Sequence, residues 1–258
     1  MAITVGVLAL QGAFIEHIHL LQKAAPLVKS KEGFEFIEVR TLEQLLRCDG
    51  LIIPGGESTT LSLIAQRNNL LEPLRDFVKV ERKPTWGTCA GLIMLAEAAN
   101  STKKGGQELI GGLDVRVHRN HFGRQIESFE TGLDLPFLAE LQAEGESPPP
   151  PFPGIFIRAP IVDKLLPHVH GEQAAEAKKD DTVVAPAKEP RNESAAKKMS
   201  DTVEVMGVLP GRNPGDAEAG DIIAVRQGNV FGTSFHPELT DDLRIHQWWL
   251  QKVVDSKS

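Results

Sequence analysis

Gly87-Thr88-Cys89-Ala90-Gly91 lies where an apolar stretch of strand composition, Pro84 to Trp86, runs into an apolar stretch of helical composition, Leu92 to Ala98. Small residues on both sides of a cysteine permit the sharp strand-to-helix turn that lifts a nucleophile out of a sheet. A thiol placed at a helix N-terminus is also favoured as thiolate by the helix dipole. A buried structural cysteine packed between glycines is the alternative reading of the same residues. The second chemical segment is Ser234-Phe235-His236-Pro237-Glu238, which follows the apolar run NVFGTSF. In an extended chain, positions two apart face the same side, so Glu238 can orient the His236 ring while the other ring nitrogen meets the cysteine. Cys89, His236 and Glu238 are therefore a candidate nucleophile, base and orienting acid. His236 and Glu238 can equally be read as metal ligands, although a third ligand at short or helical spacing is missing, or as a surface histidine beside a capping glutamate.

A third segment, Ile53-Pro54-Gly55-Gly56-Glu57-Ser58-Thr59-Thr60, has the form of a strand end, two glycines and an N-capping Ser or Thr. Its backbone N–H groups, with that of Ala90 after the cysteine, can point at one oxyanion. The rival reading, a phosphate loop, lacks the Gly-Lys-Ser/Thr that such loops carry, and no basic side chain lies close by. His17 and His19 sit two apart on a presumed helix, hence on different faces; they are read as partly exposed helix residues and not as a metal pair.

These segments need a frame to bring them together. Residues 3–10 form a continuously apolar, β-branched run, Gln11-Gly12 breaks it, and 13–25 carry apolar residues at helical spacing. The pattern recurs as GFEFIEV with a helix near 41–47, as DGLIIP with a helix near 58–67, and as KPTWGT with a helix from Cys89 onward. Strands that alternate with helices and are apolar on both faces predict an α/β fold with a parallel sheet covered on both sides, its active residues at the carboxyl ends of the strands. After about residue 105, strand-like segments with few helices between them predict a mixed extension of the sheet, ending in a hairpin around Gly228-Asn229. A closing helix over about 241–254 carries Trp248 and Trp249. Residues 144–153 (EGESPPPPFP) read as a polyproline spacer. Residues 171–201, rich in Ala, Lys, Glu, Asp and Pro, read as a low-complexity surface insertion, because little apolar burial offsets their ordering entropy.

Composition narrows the chemistry further. The chain has 258 residues, 41% of them hydrophobic, enough for one large domain or two small ones. Its 35 acidic and 28 basic side chains give a net charge of −7, which repels polyanions, so nucleic acid is not an expected partner. The apolar N-terminus lacks a basic leader and is interrupted by Gly6, Gln11 and Gly12, so it reads as a buried strand and neither a signal peptide nor a membrane span. Two cysteines, Cys48 and Cys89, are too few for a disulfide scaffold and suit a reducing cytoplasmic setting.

Taken in order, PGGES, GTCAGL and SFHPE resemble the class I, or triad, glutamine amidotransferase family. With VGVLALQGAF-EH, LIIPGGESTT, WGTCAGLI, HRN-FGRQI-SF, GIFIRAP and SFHPELT the chain is similar to the glutaminase subunits of pyridoxal 5′-phosphate synthase, over nearly its whole length apart from the spacer and the 171–201 insertion. The resemblance implies one domain over 1–258 with a flavodoxin-like three-layer sandwich. It implies that L-glutamine is hydrolysed to L-glutamate and ammonia through a Cys89-His236-Glu238 triad and a glutamyl thioester, without a metal or other cofactor. It further implies an oxyanion hole from Gly56 and Ala90, glutamine binding by Gly56, Glu57, Ser58, Arg119, Ile157 and Arg158, and an activating role for Gln11. The implied partner is a synthase subunit of (β/α)8 fold that receives the ammonia; the exposed face around Gln11 and Glu16 to His19 is expected, as a separate reading, to be part of the docking surface. Within the same fold, a γ-glutamyl hydrolase, a cysteine peptidase, a glutaminase serving a histidine-pathway synthase and a regulatory module without catalysis are the alternatives.

Overall fold

The computed structural model describes residues 2–100, 107–119, 128–143, 147, 149–210 and 220–257. Asn120, the FGRQI motif and residues 144–146 and 148 of the spacer lie outside the described residues.

Strand β1 (Ile3–Leu8) is buried along its whole length, because it has parallel neighbours on both sides: β2 (Phe34–Val39) and β3 (Gly50–Ile53). Between them run α1 (Phe14–Ala24), whose buried face is His17, Leu20, Leu21 and Ala24, and α2 (Leu42–Arg47), opened by a capping box between Thr41 and Gln44. Helix α3 (Ser58–Arg67) follows β3 and leads into α4 (Leu71–Arg75). The predicted Ser or Thr cap of α3 is replaced by Glu57, whose carboxylate accepts from the Thr59 and Thr60 N–H groups and so also neutralises the positive end of the helix.

β4 (Thr85–Thr88) adds in parallel to β3 and is followed by α5 (Ala90–Leu95). That helix is shorter than the apolar run 92–98 suggests. At Ala96 the backbone becomes extended and β5 (Ala96–Asn100) begins. The switch places the Glu97 carboxylate on the Lys79 ammonium and the Gly112 N–H, partners a continued helix would forgo.

β6 (Leu113–His118), β7 (Ser128–Leu133), β8 (Phe152–Ile157) and β9 (Ile161–Leu165) follow, and of these only β6 and β9 join the expected mixed extension of the sheet. After it come α6 (Ala174–Ala177), β10 (Thr182–Val184), α7 (Glu193–Ala196), β11 (Glu204–Leu209), β12 (Asp221–Gln227), β13 (Val230–Thr233) and α8 (Arg244–Asp255). The main sheet runs β10-β5-β6-β9-β12-β13-β4-β3-β1-β2, with β11 on β12, while β7 and β8 pair separately. Gly228, with φ 57°, turns the β12–β13 hairpin. β13 then inserts parallel to β4, so the last strand of the chain lies beside the one that carries the cysteine.

Two apolar cores flank the sheet and make the sandwich three layers deep. One packs α2 to α5, including Leu45, Leu61, Leu74 and Leu92; the other packs α1 and α8, including Leu21, Trp86, Trp248 and Trp249. This is the covered α/β sheet expected from the alternating pattern, in the flavodoxin-like form that the family resemblance implies. Among the described residues no helix is long and apolar enough to cross a membrane.

The segment 171–201 lies largely at the surface and is anchored to the sheet at a few points. β10 pairs with β5 as an edge strand, and the Glu176 carboxylate is buried on the Arg116 guanidinium at 2.7 Å. The Lys79 ammonium donates to the Pro186 carbonyl, and the Ala185 N–H to that of Glu97. Ladder bonds and paired charges thus supply the ordering free energy that apolar composition does not.

Candidate active site

Strands β1, β3, β4 and β13 run in the same direction, so their carboxyl ends open on one edge of the sheet. Leu8 is followed there by Gln11, Ile53 by Gly55-Gly56, Thr88 by Cys89, and Thr233 by His236. The registers Ile53↔Gly87 and Thr233↔Thr88 bring the last three segments to one level. Cys89 takes φ 48°, ψ −100°, a conformation that costs of order 1–3 kcal/mol in a non-glycine residue. The surroundings enforce it: the Cys89 N–H donates to the Thr233 carbonyl at 2.8 Å, and Gly91 lies so close to β3 that a Cβ would overlap the Ile53 carbonyl oxygen. This is the strained elbow that the small residues around Cys89 predict.

His236 is fixed by its N–H, which donates to the Ile155 carbonyl at 2.8 Å. Its Nδ1 meets Glu238 Oε1 at 2.7 Å. The geometry differs from an extended pair, because Pro237–Leu239 forms a short 3₁₀ turn that folds the carboxylate back under the ring. Burial alone would push the His236 imidazole down. Hydrogen bonds to Cys89 and Glu238, reinforced by their charges, outweigh that and raise it from 6.5 to about 10. All three groups are buried, Cys89 at 6% and Glu238 at 3% exposure, so their mutual interactions are weakly screened. Among the described residues no group of three or more His, Cys, Asp or Glu side chains is arranged to hold a metal.

The residues expected to bind substrate converge on this thiol. Gly56, Glu57, Ser58, Cys89, Ile93, Arg119, Ile157 and Arg158 line one cavity of about 130 Å³. The Arg119 guanidinium donates to Gln107 Oε1 at 2.5 Å and to Thr59 Oγ1 at 3.1 Å. Burial lowers it from its ordinary value, against the opposing charge of Glu57. The Glu57 carboxyl is itself held low, because hydrogen bonds from Thr60 and Thr59 outweigh the effect of burial. Arg158 adopts φ 45° at the end of β8. Gly56, at φ 144°, has no room for a side chain because the Gln11 carboxamide fills that space; Gln11 Oε1 accepts from the Glu57 N–H at 3.1 Å. Gln11 therefore props the Gly55–Glu57 loop, which lies beside Cys89.

Gln107 lies outside every motif named from the sequence, while Thr59, read there as a helix-cap candidate, and Ile93, inside WGTCAGLI, were not assigned to the site. The larger difference concerns His17, which is fully buried and not partly exposed. Its Nδ1 lies 2.9 Å from His246 Nε2, its Nε2 lies 3.3 Å from Thr88 Oγ1, and its ring stands edge-on to Trp86. The signal was available: His17 shares the 17, 20, 21, 24 stripe with Leu20, Leu21 and Ala24. His19, on the other face, is exposed.

The sequence matches the SNO glutamine amidotransferase family over residues 7–205 and 196–255. A probable pyridoxal 5′-phosphate synthase subunit PDX2 of Arabidopsis thaliana is 43% identical over 252 residues, 98% of this chain and 86% of its own length. The pyridoxal 5′-phosphate synthase subunit PdxT of Pyrococcus furiosus is 38% identical over 98% of this chain and its entire length. A crystal structure of a glutamine amidotransferase superposes over 97% of this chain and 98% of its own with a TM-score of 0.64 at 35% identity.

Proposed function

The chain belongs to the SNO glutamine amidotransferase family, and from that premise we propose that it is the glutaminase subunit of a pyridoxal 5′-phosphate synthase, hydrolysing L-glutamine at Cys89 and passing ammonia to a (β/α)8 partner subunit. The observation that carries this reading is a single cavity in which the Cys89 thiol, backed by His236 and Glu238, faces Arg119, Arg158 and the Gly56–Ser58 loop. Arg119 offers a planar fork to a carboxylate, which suits the α-carboxylate of glutamine, with its carboxamide reaching the thiol.

In the first half-reaction Cys89 Sγ attacks the carboxamide carbon, and the oxyanion that forms faces the N–H groups of Gly56 and Ala90. His236 carries the thiol proton to the departing nitrogen, the C–N bond breaks and ammonia leaves. In the second, His236 takes a proton from water as its oxygen adds to the thioester, the C–S bond breaks, and glutamate and the thiol are released. Glu238 orients His236 and stabilises its charged form throughout. No step calls for a cofactor.

Gln11 and the exposed part of α1, with Glu16 and His19, form part of the docking face in this reading. Contact there reaches the Gly56 loop directly through the Gln11 carboxamide, which gives the partner a route to set the oxyanion donors. The cytoplasm, where free thiols persist, is the setting proposed. The test is ammonia release from glutamine by the purified chain, alone and with its synthase, beside Cys89→Ala. Partner-stimulated release that vanishes in the variant is the expected result. Cleavage of γ-glutamyl peptides in preference to free glutamine would overturn the reading.

A further inference from the structure

Glu238 presents one oxygen to His236. Its other oxygen, Oε2, is buried and has no hydrogen-bond partner. His17 Nε2 lies 3.5 Å from that oxygen and 3.3 Å from Thr88 Oγ1, so its N–H can be shared between the two. A half-solvated buried carboxylate is costly, so what stands beside that oxygen matters for the base it orients. We infer that His17 is a positioning residue for the Glu238 carboxylate, its Nε2–H directed at Oε2 and its ring held in that tautomer by His246. The inference rests on the glutaminase reading for its effect on turnover, although its geometry does not.

The proton arrangement follows from the groups that face His17. They are Glu238 on the 3₁₀ turn, His236 before it, Thr88 on β4 and His246 on α8, the last itself facing Asp242. Burial first, then the neighbouring His246 and His236, lower His17 well below 6.5. Burial likewise pushes His246 down to about 3, against the charge of Asp242. Both rings are therefore neutral at neutral pH, with one N–H each. A carboxylate oxygen near Nε2 of His17 favours the proton on that nitrogen. His17 Nδ1 is then an acceptor, and the 2.9 Å contact requires His246 to donate from Nε2. That leaves His246 Nδ1 as a bare acceptor, and it has no hydrogen-bond partner. The opposite arrangement would aim a lone pair at Glu238 Oε2. A chain of oriented groups thus runs from His246 through His17 and Glu238 to His236 and Cys89.

Two amide substitutions separate positioning from packing. His17→Asn keeps an atom near the Nδ1 position and loses the reach to Glu238; His17→Gln places its amide near the Nε2 position and loses the contact with His246. In the complex with the synthase, His17→Asn is expected to lower kcat for glutamine roughly tenfold or more, the range for losing a hydrogen bond to a charged group, with KM little changed. His17→Gln is expected to retain most of kcat. The His236 imidazole, followed by NMR, is expected to titrate at lower pH in the Asn variant and close to the wild-type midpoint in the Gln variant. Equal behaviour of the two variants, in kcat and in the His236 midpoint, would overturn the inference. Nitrogen chemical shifts of the His17 ring in the unsubstituted chain need no variant to fold: the Nε2–H tautomer supports the inference and the Nδ1–H tautomer overturns it. Should the chain release no ammonia while the tautomer and the midpoints are as expected, the glutaminase reading fails and the positioning role of His17 stands.

Discussion

Gly55 lies against His236: a Cβ built at Gly55 would overlap Cε1 of the imidazole and stand 2.9 Å from its Nδ1. The glycine pair after β3 thus serves two neighbours, Gly55 making room for the His236 ring and Gly56 for Gln11. Gly55→Ala is expected to displace the ring and reduce glutamine hydrolysis by about a hundredfold, the scale for an ångström of misplacement. The loss of stability should be only about 1–3 kcal/mol. Steady-state kinetics beside a thermal melt check this, and an alanine variant with wild-type kcat would show that the ring can be accommodated elsewhere.

Arg119 is held by Gln107 and Thr59 with its guanidinium on the cavity wall. Arg119→Lys keeps the charge but loses the planar fork. The expected outcome is a KM for glutamine raised roughly tenfold, as for one lost charged hydrogen bond, with kcat nearly unchanged. A fall in kcat at constant KM would assign Arg119 to the reacting end of the substrate instead.

Lys79 and Glu97 form a buried pair at 2.8 Å. Burial raises the Glu97 carboxyl, against the opposing effects of Lys79 and the Gly112 N–H. Lys79→Met strands that carboxyl and also releases the Pro186 carbonyl. Urea melts should show a loss of about 3–5 kcal/mol, partly recovered when Glu97→Gln is added, while kcat per folded molecule stays at the wild-type value. A single variant as stable as the parent would mean that the pair contributes nothing net.

Stability should depend on pH through three histidines, in opposite senses. His246, pushed down to about 3, and His17, lowered well below 6.5, bind protons more weakly folded than unfolded. Their contribution is present above the unfolded value of 6.5 and is lost as pH falls below it, for His246 down to about 3, at up to about 1.4 kcal/mol per pH unit for each proton. His236, raised to about 10, contributes fully below 6.5 and loses that contribution as pH rises through 10. Urea melts across pH should show His246→Phe flattening the acid slope and His236→Gln flattening the alkaline one. Slopes unchanged by both substitutions would contradict the assigned environments.

Much of this site was legible in the sequence because its parts are local. The elbow at Cys89, the Gly55-Gly56 turn and the His236-Pro237-Glu238 segment each announce themselves within a few residues, and the alternation of strands and helices says which edge they share. Burial of polar groups was harder to read. His17 looked exposed because a histidine on a helix usually is, yet its place on the Leu20, Leu21, Ala24 stripe decides its position. Its partner His246 is 229 residues away. The anchoring of the 171–201 segment was hidden for a related reason: its composition is poor in large apolar residues, and the pairs that hold it, such as Glu176 with Arg116 and Pro186 with Lys79, span long stretches of chain. Glu57 took the cap expected of Ser58 or Thr59 because an ionised side chain can satisfy two N–H donors and the helix dipole at once.

The insertion of β13 between β4 and β12 gives the chain an internal gauge of its own completion. The cysteine emerges early in synthesis, but the carbonyl that bends its backbone, at Thr233, and the imidazole that would activate it belong to the last strand and the turn beyond. Slipping β13 by one residue along β4 would carry His236 about 3.3 Å away and turn its face. A chain in which β13 is out of register with β4 therefore cannot present His236 to Cys89 in this arrangement.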